Sequence, residues 1–238
     1  MRPTEQNKNY LRSSRGTYIA QSVASLIDRT QVIEVETINL AELPKKPLYR
    51  FAKRVFDIAS CGIALIILLP LMLVLGIVIK LDSSGPVIYR QERLGKGGAP
   101  FMLYKFRSMR ENAEASGAQW AADDDPRVTR VGKFIRKTRM DELPQFWNVV
   151  KGDMSLVGPR PERAVFYEQF ERYIHGFKQR LLVLPGITGL AQVSGGYDLG
   201  PAEKIVYDIE YIKHQGVVMD VKVIARTFGV LISHDGAR

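Results

Sequence analysis

The chain has 238 residues, a formal net charge of +9 and a pI of about 9.6. Its composition is that of a globular protein with room for one large domain or two small ones, which excludes a wholly disordered chain. The single cysteine, Cys61, excludes a disulfide framework and a cysteine zinc site and fits a reducing, cytoplasmic setting. The positive charge suits an anionic partner: nucleic acid, an anionic membrane face or phosphorylated substrates.

Residues 1–49 read as a leader. Arg2, Lys8, Arg12 and Arg15 open it, and no apolar core follows, so it does not read as a secretory signal peptide. Tyr18 to Ile27 suits a short helix, Gln31 to Ile38 alternates like a strand, and Pro44-Lys-Lys-Pro47 suits a linker. No chemistry is assigned to this region, which is expected to pack on the main domain or on a partner.

From Ile58 to Ile79 there is no charged residue. At about 1.5 Å per residue, such a run is long enough to cross a bilayer core. Pro70 interrupts it, removing one backbone hydrogen bond and predicting a kink. Arg50, Lys53 and Arg54 precede the run, and Lys80, Arg90 and Arg93 follow it. Basic residues prefer the cytoplasmic side. With both flanks basic, a helix that enters, bends and returns competes evenly with a simple span, since proline is tolerated in spanning helices.

Beyond Asp82 the pattern turns globular. Ser83-Ser-Gly-Pro86 is a turn, Val87 to Arg90 a strand, Gly95-Lys-Gly-Gly98 a hairpin loop and Phe101 to Phe106 a second strand. The glycines do not form a nucleotide-binding fingerprint, because no strand–loop–helix unit surrounds them. Alternation predicts Lys105 and Arg107 on one strand face, where a shared anion would offset their repulsion and solvation of the two cations is an equal alternative. Asp123-Asp-Asp-Pro-Arg127 reads as a capped acidic turn.

The central stretch is Arg136-Lys-Thr-Arg139-Met-Asp141-Glu142-Leu-Pro-Gln-Phe-Trp-Asn148. Pro144 suits a first helical turn, and Leu143, Phe146, Trp147 and Val150 recur at helical spacing. Asp141 and Glu142 then lie near a helix start, where a carboxylate stays ionised and a phosphate can bind.

In Gly158-Pro-Arg-Pro161 the flanking prolines fix the backbone around Arg160, which suits recognition of phosphate or carboxylate. Phe166, Phe170, Tyr173, Ile174, Phe177 and Leu181 predict one amphipathic helix, packed in the core or lying in a membrane interface. Asp198 to Gln215 reads as a helix carrying Asp208 and Tyr211 on one side. Val217 to Ile232 reads as a second amphipathic helix, with Asp220 its lone acid. His175, His214 and His234 lack metal-ligand spacing, and nucleophilic serine or cysteine chemistry has no support. Carboxylates, cations and a membrane remain. An ionised carboxylate can attack phosphorus and hold a phosphoryl group, with cations or Mg²⁺ offsetting the phosphate charge.

Four motifs stand in order: Lys105-Phe-Arg-Ser-Met109, Asp141-Glu-Leu-Pro-Gln145, Gly158-Pro-Arg-Pro161 and Pro185-Gly-Ile-Thr-Gly-Leu-Ala-Gln192. Together they resemble the bacterial sugar transferase family, the monotopic phosphoglycosyl transferases, from residue 50 to the end. The family's large members carry a polytopic amino-terminal extension that this sequence lacks, so the resemblance is to a small or intermediate form. It implies a mixed, helix-rich α/β catalytic domain over 83–238 on the cytoplasmic face of the inner membrane. A kinked re-entrant helix over 50–82 and amphipathic interfacial helices would hold it there. It also implies transfer of a sugar 1-phosphate from a UDP-sugar to undecaprenyl phosphate, with release of UMP. Polysaccharide or glycoconjugate synthesis, such as that of capsule or exopolysaccharide, begins with this step.

By the same resemblance Asp141 is the nucleophile, Glu142 assists it, and both are candidate Mg²⁺ ligands. Arg136 and Arg160, with Lys105 a weaker match, would hold phosphates. Arg107, Arg139, Gln192, Asp208 and Asp220 are further candidates, with Asp208 and Asp220 equally suited to structural ion pairs. The family's re-entrant geometry favours a return at Pro70. Partners would be the UDP-sugar, undecaprenyl phosphate and membrane lipid, without nucleic acid, and an apolar helix face would also serve a homodimer. The sugar stays open; 195–200 and the loop near Trp120 are where specificity is expected. Two other classes compete. A membrane-anchored scaffold would use Asp141 and Glu142 only as helix caps. A nucleic-acid-binding module would lack a reading helix or stacking platform.

Overall fold

A computed structural model describes residues 32–39, 46–113, 125–195 and 199–233. Over these residues the chain is mixed α/β and rich in helix. The expected helix at Tyr18–Ile27, Pro44 of the expected linker, Asp123, Asp124, Trp120, Asp198 and His234 lie outside the described residues.

Helix α1, Pro47–Asp82, runs for 36 residues, about 54 Å at the usual rise. Pro47 begins it, where the missing N–H costs nothing. Pro70 lies inside, and the helix continues on both sides of it. It is long and apolar enough to cross a membrane. Asp57, Cys61, Leu75 and Ile79 are its buried residues. Between them Ile63, Ile66, Ile67, Leu69, Leu71, Leu73 and Val74 are exposed. The two ends of the apolar run therefore dock on the rest of the molecule, and its middle carries the exposed apolar surface.

Polar contacts fasten both ends. Arg54 donates to the carbonyls of Val149 and Val150 at 2.6 and 2.9 Å. Asp57 accepts from Ser155 Oγ at 2.7 Å and from the Leu156 N–H at 3.2 Å. Asp220 accepts from Tyr49 and Lys53, each at 2.8 Å, and lies 2.8 Å from the Tyr211 hydroxyl. At the other end Arg107 donates to the carbonyls of Ser83 at 2.6 Å, Ile79 at 3.3 Å and Pro86. The buried Arg107 guanidinium thus ties the end of α1 to the turn that follows it.

Strands β2 (Ile88–Leu94) and β3 (Pro100–Phe106) form an antiparallel hairpin, with Ile88 opposite Phe106 and Leu94 opposite Pro100. Gly97 and Gly98 turn it at φ 69° and 79°, a left-handed pair that glycine adopts at least cost. Helix α2 (Arg130–Lys137) follows, then a 3₁₀ turn at Met140–Glu142 and helix α3 (Gln145–Lys151). The buried Asn148 ties α3 to the hairpin, accepting from the Tyr104 N–H at 3.0 Å and donating to the Met102 carbonyl at 2.7 Å. Phe101 and Leu103 pack there with Cys61, Val149 and Met154. Phe106 and Ile135 pack with Leu75 and Ile79 of α1.

The larger apolar core lies in the carboxy-terminal half. Strand β4 (Ser155–Val157) pairs in parallel with β6 (Gly186–Thr188). Between them come helix α4 (Ala164–Glu171), strand β5 (Ile174–His175) and a 3₁₀ segment, Phe177–Leu182. Helices α5 (Leu190–Ser194), α6 (Pro201–His214) and α7 (Val217–Ser233) complete the described chain. Phe166, Tyr167, Phe170, Ile174 and Phe177 pack with Ile205, Ile209, Ile212 and Val223.

Several expectations change. The stripe from Phe166 to Leu181 is not one helix: α4 ends at Glu171, Ile174–His175 is a strand, and Gly176 turns the chain at φ 92° into the 3₁₀ segment. Its aromatic residues are core, so this segment is not an interfacial helix. α7 does keep Val217, Val218, Val221 and Phe228 exposed. In the leader the strand shrinks to β1, Ile33–Glu34, paired in parallel with β5. Pro47, read as part of a linker, begins α1 instead.

Candidate active site

The site grows from the junction of α2 and α3. Thr129 starts α2 by accepting the Gly132 N–H at 2.9 Å, an N-cap bond. Arg136 lies on the last turn of α2. The chain then reverses through Arg139, whose φ of 57° is the sole left-handed non-glycine conformation among the described residues. A side chain there costs roughly 1 kcal/mol, and such strain gathers at functional sites. The 3₁₀ turn that follows presents Asp141 and Glu142. Met140 and Leu143, on either side of the pair, pack against the cluster containing Leu75 and Ile79. The acidic pair is thus seated directly against the end of the apolar helix.

Lys105 reaches the pair from the end of β3. Its Nζ lies 3.0 Å from Glu142 Oε1 and 3.8 Å from Asp141 Oδ2. Arg160 donates to both oxygens of Glu142, Nη2 to Oε1 and Nη1 to Oε2. Two adjacent carboxylates therefore have different surroundings. For Glu142, burial works to raise the pKa, but Arg160 and Lys105 outweigh it and hold the group well below the usual carboxylate range. Burial pushes Asp141 up; Lys105 opposes this, Glu142 adds to it, and Arg160 and Arg136 oppose it. Glu142 is the anchored anion. Asp141 is buried, less committed and more basic, which suits a nucleophile.

The loop that carries Arg160 is held rigidly. The Gly158 N–H bonds the Thr188 carbonyl, and the Gly186 N–H bonds the Pro159 carbonyl, each at 2.9 Å. A Cβ on Gly158 would stand 2.4 Å from the Leu184 carbonyl oxygen, so the two loops approach as only glycine allows. Arg93 of β2 donates to the Pro161 carbonyl at 3.2 Å and to Glu162 at 2.9 Å. Arg180 donates to the Arg160 carbonyl at 2.9 Å and, through Nε, to Asp208 at 2.6 Å.

Beside Arg160 a cavity is lined by Arg139, Glu162, Arg180, Gln192 and Lys204. Four cations, Arg160 among them, face one carboxylate there, and burial lowers the Lys204 pKa. Gln192 donates to the Ile187 carbonyl at 2.7 Å. Its Oε1 is buried without a hydrogen-bond partner among the described residues.

The sequence candidates divide accordingly. Lys105, Arg136, Asp141, Glu142 and Arg160 converge on one place, and Arg139 and Gln192 line the adjoining cavity. Arg107 does not join them: the strand ends at Phe106, and the guanidinium turns to cap α1. Asp208 holds Arg180, and Asp220 ties α1 to the carboxy-terminal helices; neither touches the acidic pair. The sequence reading does not single out Arg93, Arg180 and Lys204, which only the tertiary structure brings to Arg160, nor Glu162, which follows Arg160 by two residues. Asp125, from the acidic turn, is bonded to Arg127 at 2.5 Å. Among the described residues no group of three or more His, Cys, Asp or Glu side chains could hold a metal.

The model of the family described as bacterial sugar transferase matches residues 48–234. The chain is 46% identical over 224 residues to a UDP-N-acetylgalactosamine-undecaprenyl-phosphate N-acetylgalactosaminephosphotransferase of Aeromonas hydrophila, covering 93% of this chain and 53% of that protein. It is 41% identical over 198 residues to a UDP-glucose:undecaprenyl-phosphate glucose-1-phosphate transferase of Escherichia coli (strain K12), covering 81% and 43%. It is 40% identical over 219 residues to an undecaprenyl-phosphate galactose phosphotransferase of Salmonella typhimurium, covering 86% and 45%. The chain spans about half the length of these three relatives. The extent of the family match and the identity across the motif-bearing region lead to one assignment: the chain belongs to the bacterial sugar transferase family.

Proposed function

We propose that the protein transfers a sugar 1-phosphate from a UDP-sugar to undecaprenyl phosphate through a covalent intermediate on Asp141. The observation that carries this reading is the unequal acidic pair. Glu142 is neutralised by Arg160 and Lys105, and Asp141 stands beside it, buried and held by weaker contacts. An Asp141 oxygen attacks the sugar-bearing phosphorus of the donor. The bond from that phosphorus to the bridging oxygen breaks, and UMP leaves with the oxygen. A phosphate oxygen of the lipid then attacks the same phosphorus and displaces the Asp141 carboxylate. Lys105, Arg136 and Arg160 offset charge on the phosphates, and the cavity lined by Arg139, Lys204 and Gln192 accepts the rest of the diphosphate.

Mg²⁺ would be held by Asp141 and Glu142 together with substrate phosphates and water, since among the described residues no group of three or more His, Cys, Asp or Glu side chains could hold a metal. When bound it would add charge neutralisation at the phosphates.

We place the acidic pair at headgroup depth, with α1 re-entering one leaflet. A simple span would carry the flanks of the apolar run to opposite faces of the bilayer. Here Asp57 bonds β4 and the Ile79–Ser83 end bonds Arg107, so both flanks engage one domain. Pro70 offers the bend. Asp141 then meets the soluble donor and the lipid phosphate in turn. The exposed apolar residues of α7 supply a further membrane contact.

The test is UMP release from a panel of UDP-sugars by the detergent-purified chain with undecaprenyl phosphate and Mg²⁺. Release from one sugar, abolished by Asp141→Asn, is expected and names the donor. Release that persists in Asp141→Asn would remove the covalent step from the reading.

A further inference from the structure

Residues 32–39 precede the segment matched by the family model, which begins at residue 48. They cross β5 and the start of the 3₁₀ segment. The Ile33 N–H bonds the Tyr173 carbonyl at 2.9 Å, and the Val35 N–H bonds the His175 carbonyl at 3.1 Å. Gln179 continues the pairing with its side chain. Its amide oxygen accepts the Ile38 N–H at 2.5 Å, and its amide nitrogen donates to the Glu36 carbonyl at 3.2 Å. One primary amide supplies a donor and an acceptor, so it stands in for the peptide group of a neighbouring strand. Ile38 is buried with Phe177 and Ile212. Glu36 pairs with Lys213 of α6.

The residue after Gln179 is Arg180, which faces inward. Its guanidinium is buried and bonds both Asp208 and the Arg160 carbonyl. A continuous series of contacts thus runs from Ile38 and Glu36 through Gln179 and Arg180 to Arg160, and from Arg160 to Glu142. The outer end is lightly held: Val32 is 56% and Ile33 37% exposed. A segment with few buried apolar contacts opens at lower free energy than the core.

We infer that residues 32–39 are a strap that positions Arg160, acting through Gln179 and Arg180. The consequence for anion binding rests on the phosphate role proposed for Arg160; the mechanical link does not. With the strap seated, the Phe177–Leu182 segment is fixed on both faces and Arg180 holds the Arg160 loop. With it lifted, Gln179 loses both bonds and the segment gains freedom next to the residue that braces the site.

The experiment compares the full chain in detergent with Ile38→Asp and Gln179→Ala by hydrogen–deuterium exchange and by binding of pyrophosphate. Faster exchange is expected at 32–39 and 176–182, and at the amides of Gly158, Arg160 and Glu162, with the β2–β3 hairpin unchanged. Pyrophosphate is expected to bind about two- to thirtyfold more weakly, the range by which network mutations change coupling. Should Ile38→Asp fail to fold, Gln179→Ala still reports, because it removes only the two strap bonds at a partly buried position. Release of 32–39 with wild-type exchange at Arg160 would overturn the strap. Faster exchange at Arg160 with unchanged pyrophosphate affinity would uphold the link and remove the anion role proposed for that residue.

Discussion

Arg180 and Asp208 form an ion pair at 2.6 Å with both side chains almost wholly buried. Burial works against the charge on Arg180, and Asp208 outweighs it, so the guanidinium stays ionised. Phe177 and Tyr167 cover it, with ring centroids 4.8 and 5.9 Å from the guanidinium carbon. The pair does not touch the acidic dyad. Its second bond, to the Arg160 carbonyl, sets where the neighbouring loop stands. Asp208→Ala would leave a buried charge without its partner, a change that costs about 3–5 kcal/mol. Denaturant unfolding in detergent should show a loss of that size. A loss under about 1 kcal/mol, the range of an exposed pair, would mean that water reaches the guanidinium.

Asp141→Asn should reduce UMP release by at least about 10³-fold, since removing an enzyme nucleophile commonly costs more than that. Binding of the donor should change much less, because Glu142 and its cations remain. Equilibrium binding of a UDP-sugar to the mutant, measured beside the rate, separates the two effects. A mutant that turns over at a tenth of the wild-type rate would assign the attack to another group.

Glu142→Gln should move the acid limb of the pH–rate profile to lower pH. The reaction needs ionised Asp141, so the rate falls as pH drops through the Asp141 pKa. Burial and the Glu142 charge both raise that pKa. Removing the neighbouring charge lowers it and leaves Lys105 and Arg160 to act on Asp141 alone, so the limb shifts downward even as the maximal rate falls. An unmoved or upward-shifted limb would show that a group other than Asp141 sets it.

Arg107→Ala should act on stability and leave substrate affinity alone. The guanidinium serves the Ile79 carbonyl of α1 and the Ser83 and Pro86 carbonyls of the turn after it, and leaving such groups unmet costs about 1–3 kcal/mol. The melting temperature should fall while KM for the donor stays near wild type. A large rise in KM with normal stability would return Arg107 to the anion site.

Lys105 and Arg107 mark where reading by pattern stops. Strand alternation predicts both on one face, and that holds only while the strand continues. β3 ends at Phe106, and the next side chain turns to the carbonyls of Ile79, Ser83 and Pro86 instead. The aromatic stripe from Phe166 to Leu181 fails likewise: helical spacing continues to Leu181, but α4 ends at Glu171 and the backbone is a strand at Ile174. Asp141, Glu142 and Arg160 stand out in the sequence because the start of a helix and two flanking prolines mark them locally, and Arg136 stands out only through the family resemblance.

The sequence by itself determined the apolar helix, the hairpin, the acidic pair and the loop that stiffens Arg160. Each follows from a local cause: an uninterrupted apolar run, glycines where φ must be positive, or prolines beside one long side chain. Tertiary structure alone set the unequal contacts of the pair, Glu142 held closely by Arg160 and Lys105 and Asp141 at a longer distance from Lys105. It also brought Arg180 and Lys204 to Arg160, turned Arg107 into a cap and laid residues 32–39 across Gln179. These outcomes depend on which groups meet across the fold, through burial and through charges contributed by distant segments, and no spacing along the chain records them.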